Sequence, residues 1–257
     1  MKKLLIPITS LLLFSCSVTT TEKSQTELPL FIKEINTHHH YEKFKQAGVF
    51  TADIKLTFGG KQRLDAKMIY DTQTQETALL HRDGKALMFT EDTVWLSPDT
   101  ANYPRARFDI FTWSYFMALP YKLNDNGIQL EEYAKSNLGG KNYNAQRLTF
   151  GENIGDAPDD WYILYQDQKS GLLHAAAYIV SLGKDQKTAE EDPHAIVYKK
   201  YVDVDGIPMA TSWEFYAWDK EKGLTKKLGE ATLSKLQFVE RTDDIFQVPL
   251  PKKEVTI

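Results

Sequence analysis

The sequence predicts a mainly β fold of the α+β class: one curved antiparallel half-barrel sheet with helices covering its concave face. Three observations lead there. Val49–Phe58 alternates strictly, with Phe50, Ala52, Ile54, Leu56 and Phe58 on one side and Thr51, Asp53, Lys55 and Thr57 on the other. One face is therefore greasy and the other wet, the mark of an antiparallel sheet. Roughly ten strand-like segments follow with no regularly interleaved helices, which disfavours a doubly wound parallel sheet. A single stretch, 105–120, breaks the alternation and carries a dense set of large apolar side chains.

At the N-terminus, Met1-Lys2-Lys3 precedes an apolar run over 4–14 that is too short to span a bilayer. The run ends in Leu13-Phe14-Ser15-Cys16. This resembles the lipobox of bacterial lipoproteins, and Cys16 is the only cysteine in the chain. The resemblance implies a signal peptide over 1–15 and lipid attachment at Cys16. Several acyl chains on one residue give stable anchoring, since each buried methylene adds about 0.8 kcal/mol. Residues 16–29 lack apolar periodicity and read as a lipidated tether, with a reach on the order of 20 Å. A single domain is expected over 30–250, with 251–257 as a loose tail.

Residues 30–47 read as a helix, with Phe31, Ile35 and Phe44 along a stripe and Gly48 after the last turn. His38, His39 and His40 are consecutive on it. Their side chains diverge by about 100° per residue, so they read as a solvated face and not as a metal site. After Val49–Phe58, strands are expected at 66–71, 76–81, 85–90 and 93–96, with Arg82-Asp83-Gly84 as a turn.

The stretch 105–120 reads as a helix. Phe108, Phe111, Tyr115 and Leu119 share one face, and Ile110, Trp113, Phe116 and Met117 an adjacent one. So wide an apolar circumference needs cover on more than one side. It is expected to lie over the sheet and to line a greasy cavity. Strands resume at 143–150, 161–167 and 172–181, the last two joined by a hairpin over 167–171. Residues 183–192 are polar and read as a loop. A further hairpin, 195–202 with 209–218, turns at Asp203-Val204-Asp205-Gly206, which lacks the later ligands of a calcium loop. A last strand is expected over 229–240.

The composition excludes several roles. A formal charge of −4 argues against a nucleic-acid partner. One cysteine leaves no internal disulfide or Cys-based zinc site. No nucleophile elbow, phosphate-binding glycine loop or zincin motif is present, so no metal and no cofactor is expected. His174 reads as a core or edge histidine. His194 near Asp192 has no nucleophile to serve, and Asp159 and Asp160 point opposite ways on an extended chain. No enzyme is expected.

Residues 115–127 (YFMALPYKLNDNG), 160–165 (DWYILY) and the hairpin over 195–218 resemble blocks of a family of uncharacterised bacterial lipoproteins. The resemblance runs from about Ile35 to Pro249. That family is similar in outline to the LolA/LolB lipoprotein carriers, which implies a LolA/LolB-like half-barrel closed by helices around a hydrophobic cavity. The expected function is a lipid-anchored cell-envelope protein, on the outer membrane facing the periplasm, that binds an acyl chain or lipid. Candidate ligand-contacting residues are Phe111, Trp113, Phe116, Met117, Ile54 and Leu56. A structural or interaction lipoprotein with a self-filled core is the alternative, and an envelope hydrolase a third reading.

Overall fold

The structure, a computed structural model, describes residues 28–151 and 155–256. The proposed leader, Cys16 and most of the tether lie outside the described residues. Two short helices, α1 (Leu30–His38) and α2 (Tyr41–Lys45), open the described chain. A meander follows: β1 (Val49–Phe58), β2 (Lys61–Asp71), β3 (Thr77–His81), β4 (Ala86–Thr90) and β5 (Thr93–Ser97). The long helix α3 (Ala106–Lys122) leads to β6 (Ile128–Glu132) and the small pair β7 (Asn137–Leu138) and β8 (Lys141–Asn142). A second meander comprises β9 (Asn144–Phe150), β10 (Tyr162–Gln166), β11 (Leu173–Tyr178), the single turn α4 (Gln186–Ala189), β12 (His194–Val204), β13 (Ile207–Asp219) and β14 (Gly223–Val239). The chain closes with β15 (Lys253–Glu254).

Thirteen strands form one sheet in the order β15-β5-β4-β3-β2-β1-β14-β13-β12-β11-β10-β9-β6, and every pairing is antiparallel. The sheet is curved and open and does not close into a barrel. The β1–β14 pairing joins the two meanders at the centre. The chain leaves the first meander near one edge, at β5, and enters the second at the other edge, at β6. Helix α3 makes that crossing. At 1.5 Å per residue it is about 25 Å long, whereas thirteen strands at about 4.8 Å spacing lay out an arc of nearly 60 Å. The sheet therefore curls round the helix, which lies in the concavity. Both edge strands are short and carry charge, Lys253 and Glu254 on one and Glu131 and Glu132 on the other, which discourages further strand addition.

The β1 register matches the alternation: Phe50, Ile54 and Leu56 are fully buried and Lys55 is exposed. The expected wet face is not wet throughout. Val49 and Thr51 are buried as well, because Phe246 and Val248 fold back with Ile69 and Met88 over the convex side. A second convex cluster, around Ile163, Tyr165, Ala175 and Val197, covers the back of β10–β12. Those strands are buried on both faces, which erases their alternation. Strand β6 was not expected from the sequence, since IQLEE is an exposed edge segment with little apolar pattern. Within 251–257, Lys253 pairs with Leu96 and Glu254 with Trp95, so part of the expected loose tail is an edge strand.

The expected single helix over 30–47 is two. The chain breaks at His39 and His40, the latter left-handed at φ 54°. The expectation of a solvated histidine face fails at His39, which is only 1% exposed. Its Nε2 accepts the Leu173 N–H at 2.9 Å, and its ring meets the edges of Tyr121 and Tyr201. Turning the ring inward to serve β11 redirects the helix.

Candidate functional site

The two apolar faces of α3 have different fates. Ile110, Trp113, Phe116 and Met117 are buried in the main core with Leu119. Phe108, Phe111 and Tyr115, spaced at i, i+3 and i+7, are only part-buried. Along them runs a mainly apolar cavity of about 520 Å³, within the range of small-molecule sites. Thr77 and Phe89 of the first meander bound one side, and Phe150, Tyr162 and Tyr178 of the second bound the other.

The second wall is aromatic. Tyr115 stands 5.4 Å from Tyr162 between ring centroids, and Tyr162 lies 6.0 Å from both Phe150 and Tyr178. Tyr162 and Tyr178 are directly opposed across β10 and β11. A register shift between Tyr165 and Gln166 separates this pair from the hairpin, where Asp167 accepts the N–H groups of Lys169 and Ser170 at 3.0 and 2.9 Å. Other buried tyrosines spend their hydroxyls on protein, Tyr198 on the Phe116 carbonyl and Tyr201 on the Leu173 carbonyl. Those of Tyr115, Tyr162 and Tyr178 have no hydrogen-bond partner among the described residues. Burial pushes all three well above the ordinary phenol range.

Charged groups mark the two ends of the cleft. Near the start of α3, Arg107 grips Asp156 with two hydrogen bonds of 2.8 Å. At its other end Lys122 pairs with Asp125 at 2.6 Å and donates to the Gln75 side-chain oxygen. Asp160 is on the wall without an ion pair among the described residues. It accepts the Ser181 N–H at 2.6 Å, yet burial raises its pKa above the usual carboxylate range, with Asp159 adding to the rise.

The six residues expected on the wall divide. Phe111 and Phe116 line the cavity. Trp113 does not: its ring packs edge-on against Phe108 and Phe215, and its indole N–H donates to Asp109 at 3.0 Å. Met117, Ile54 and Leu56 also belong to the close-packed core. The face with Ile110 and Met117 packs into the core, and the face with Tyr115 and Thr112 borders the cleft. Sequence reasoning missed Tyr162, Tyr178 and Asp160. The hairpin at 167–171 signals that the two strands pair, but its own register continued would set Ala177 opposite Tyr162, and a register shift between Tyr165 and Gln166 brings Tyr178 there instead.

The histidines assemble no reactive constellation with the cleft. His174 stacks on Tyr143 at 4.7 Å. His194 lies 3.5 Å from Asp192, and burial holds it below its ordinary pKa against the pull of that carboxylate. Neither lines the cavity.

A family model described as a family of unknown function, DUF6503, matches residues 88–228, which include α3 and the aromatic wall. A comparison with curated protein sequences gives no match. Among solved structures, the chain is similar to a LolA superfamily protein from Nitrosomonas europaea, with TM-score 0.53 and 9% identity, covering 83% of this chain and 97% of that one. It is also similar to a candidate outer membrane lipoprotein-sorting protein domain from Vibrio parahaemolyticus, with TM-score 0.53 and 10% identity over 84% and 97% of the two chains. A DUF1329 family protein from Desulfovibrio piger ATCC 29098 gives TM-score 0.50 and 12% identity over 84% and 96%. The shared feature is the fold.

Proposed function

The chain belongs to DUF6503, a family of unknown function, and from that premise we propose that it is a lipid-anchored protein of the bacterial cell envelope that holds an apolar ligand, an acyl chain or lipid, in the cleft beside α3. One observation carries the proposal: a helix face bearing Phe108, Phe111 and Tyr115 is only part-buried and borders a cavity of about 520 Å³. A helix this apolar would be packed on all sides if the core were self-filled. The cleft follows α3 from Arg107 to Lys122, about 22 Å at 1.5 Å per residue, a shape suited to an extended chain. The likeness of fold to a lipoprotein-sorting domain supports an envelope location. The lipobox-like Leu13-Phe14-Ser15-Cys16 supports attachment through Cys16.

Ligand binding is tested by titrating the purified domain with the neutral fluorophore N-phenyl-1-naphthylamine. Saturable enhancement that dodecanol displaces is expected, and it should weaken in Phe111→Asp. An unsaturable response in wild type would overturn the binding reading. For the anchor, Cys16→Ala should move the protein from the membrane to the soluble fraction, and unchanged membrane association would refute that role.

A further inference from the structure

We infer that the ligand is an amphiphile whose head carries a positive charge, an amine or ammonium group, held against Asp160 on the aromatic wall. The inference rests on the proposed cleft and specifies what it selects.

The charges bordering the cavity are unbalanced. Arg107 and Lys122 are each committed to a carboxylate, Asp156 and Asp125. Asp92 and Asp160 border the cavity with no cationic partner among the described residues. Asp92 is exposed and solvated. Asp160 is part-buried and has only Ser181 to compensate its charge. A carboxylate facing an apolar space is costly unless a counter-charge arrives or it takes up a proton. An anionic head would add repulsion to that cost. A cationic head would remove it.

The surroundings of Asp160 fit the same chemistry. Tyr178 is 5% exposed and Tyr162 8%, and both line the cavity with hydroxyls that no described protein group engages. Their oxygens can accept from an ammonium N–H, and aromatic faces attract cations. Asp160 stands two residues before Tyr162 and accepts from Ser181, three residues after Tyr178, so the carboxylate sits at the end of the β10–β11 pair where the two rings are opposed. The rest of the cleft, past Phe150, Tyr115 and Phe111, takes the chain.

Dodecylamine, dodecanol and dodecanoate share one chain and differ only at the head. Each is used below its micelle concentration to displace N-phenyl-1-naphthylamine from the wild-type protein. Dodecylamine is expected to displace about tenfold more strongly than dodecanoate, with dodecanol between. In Asp160→Asn the amine and the carboxylate should converge, each measured relative to dodecanol on the same variant. Equal or stronger displacement by dodecanoate in wild type would overturn the inference, and that comparison requires no variant to fold. A preference for the amine that persists in Asp160→Asn would overturn it too. Failure of dodecanol itself to displace would bring down the cleft reading, and this inference with it.

Discussion

The Tyr198 hydroxyl donates to the Phe116 carbonyl at 2.7 Å. In an uninterrupted helix that carbonyl would take the N–H of residue 120, but residue 120 is proline and has none. The apolar helix thus keeps a helix-breaking residue in its last turns, because a strand of the opposing meander, β12, supplies the missing donor. The contact also ties α3 to the sheet beside the cleft.

Tyr198→Phe should leave the buried Phe116 carbonyl unserved and destabilise the protein by about 1–3 kcal/mol. Pro120→Ala restores an N–H to the helix, so Tyr198→Phe should cost less in that background than alone. A double-mutant cycle from urea unfolding measures the coupling. Strictly additive effects would show that Tyr198 does not substitute for the missing helix donor.

Truncation should separate the two faces of α3. Trp113→Ala removes core contacts and should cost about 3–5 kcal/mol. Phe111→Ala, at the cleft, should cost about half of that or less and should weaken binding of the apolar fluorophore. Unfolding midpoints and probe titrations on both variants decide between these roles. Core-sized loss at Phe111 with unchanged probe binding would contradict the placement.

Burial lowers the His39 pKa to about 3, with His38 and His40 adding to the effect. An unfolded histidine titrates near 6.5. Between those values the unfolded chain binds the extra proton, so the contribution of His39 is fully present above about pH 6.5 and is lost as pH falls towards 3. The slope approaches about 1.4 kcal/mol per pH unit for one proton. His39→Gln can still accept the Leu173 N–H and cannot titrate. Its stability should therefore fall less than that of wild type between pH 7 and pH 5, measured by urea unfolding at each pH. Parallel profiles would rule out His39 as the acid-sensitive group.

Gly229 lies where β14 meets β1. A Cβ there would stand 2.3 Å from the Thr57 carbonyl oxygen, so two backbones at the centre of the sheet would have to part. Gly229→Ala should destabilise by about 1–3 kcal/mol through overpacking, read as a lowered melting temperature. Wild-type stability in that variant would mean that the two strands can separate at little cost.

Asp167 closes the β10–β11 hairpin, and the Lys141 ammonium together with the turn N–H groups holds its carboxyl far below the usual range. Its contribution is present above the ordinary carboxylate pKa and is lost only in strong acid, as pH falls through the depressed folded value. Its partner Lys141 is exposed and solvent screens the pair, so Asp167→Ala should cost only about 1 kcal/mol. If the turn and the register shift beside it together hold Tyr162 opposite Tyr178, amine binding should weaken more than that loss of stability explains. Displacement titrations on the folded variant check this.

The sequence by itself determined the strand register wherever one face is greasy and the other wet. Val49–Phe58 could be placed residue by residue, because a slip of one would expose Phe50, Ile54 and Leu56. It also determined that 105–120 forms a helix needing cover on several sides, and that the strands form an antiparallel sheet. Tertiary structure alone decided which helix face met the sheet. Both faces are apolar, so periodicity could not rank them, and packing assigned Trp113 and Met117 to the core and Phe111 to the cleft. It likewise drew His39 inside, where Leu173 supplies the donor, and folded Phe246 and Val248 over a face that alternation marks as wet. Asp160 became a wall residue through the curl of the sheet, which brings the β9–β10 connection to α3. Alternation and spacing record what each residue prefers along the chain, whereas burial depends on partners distant in sequence, and those were fixed only when the two meanders joined at β1 and β14.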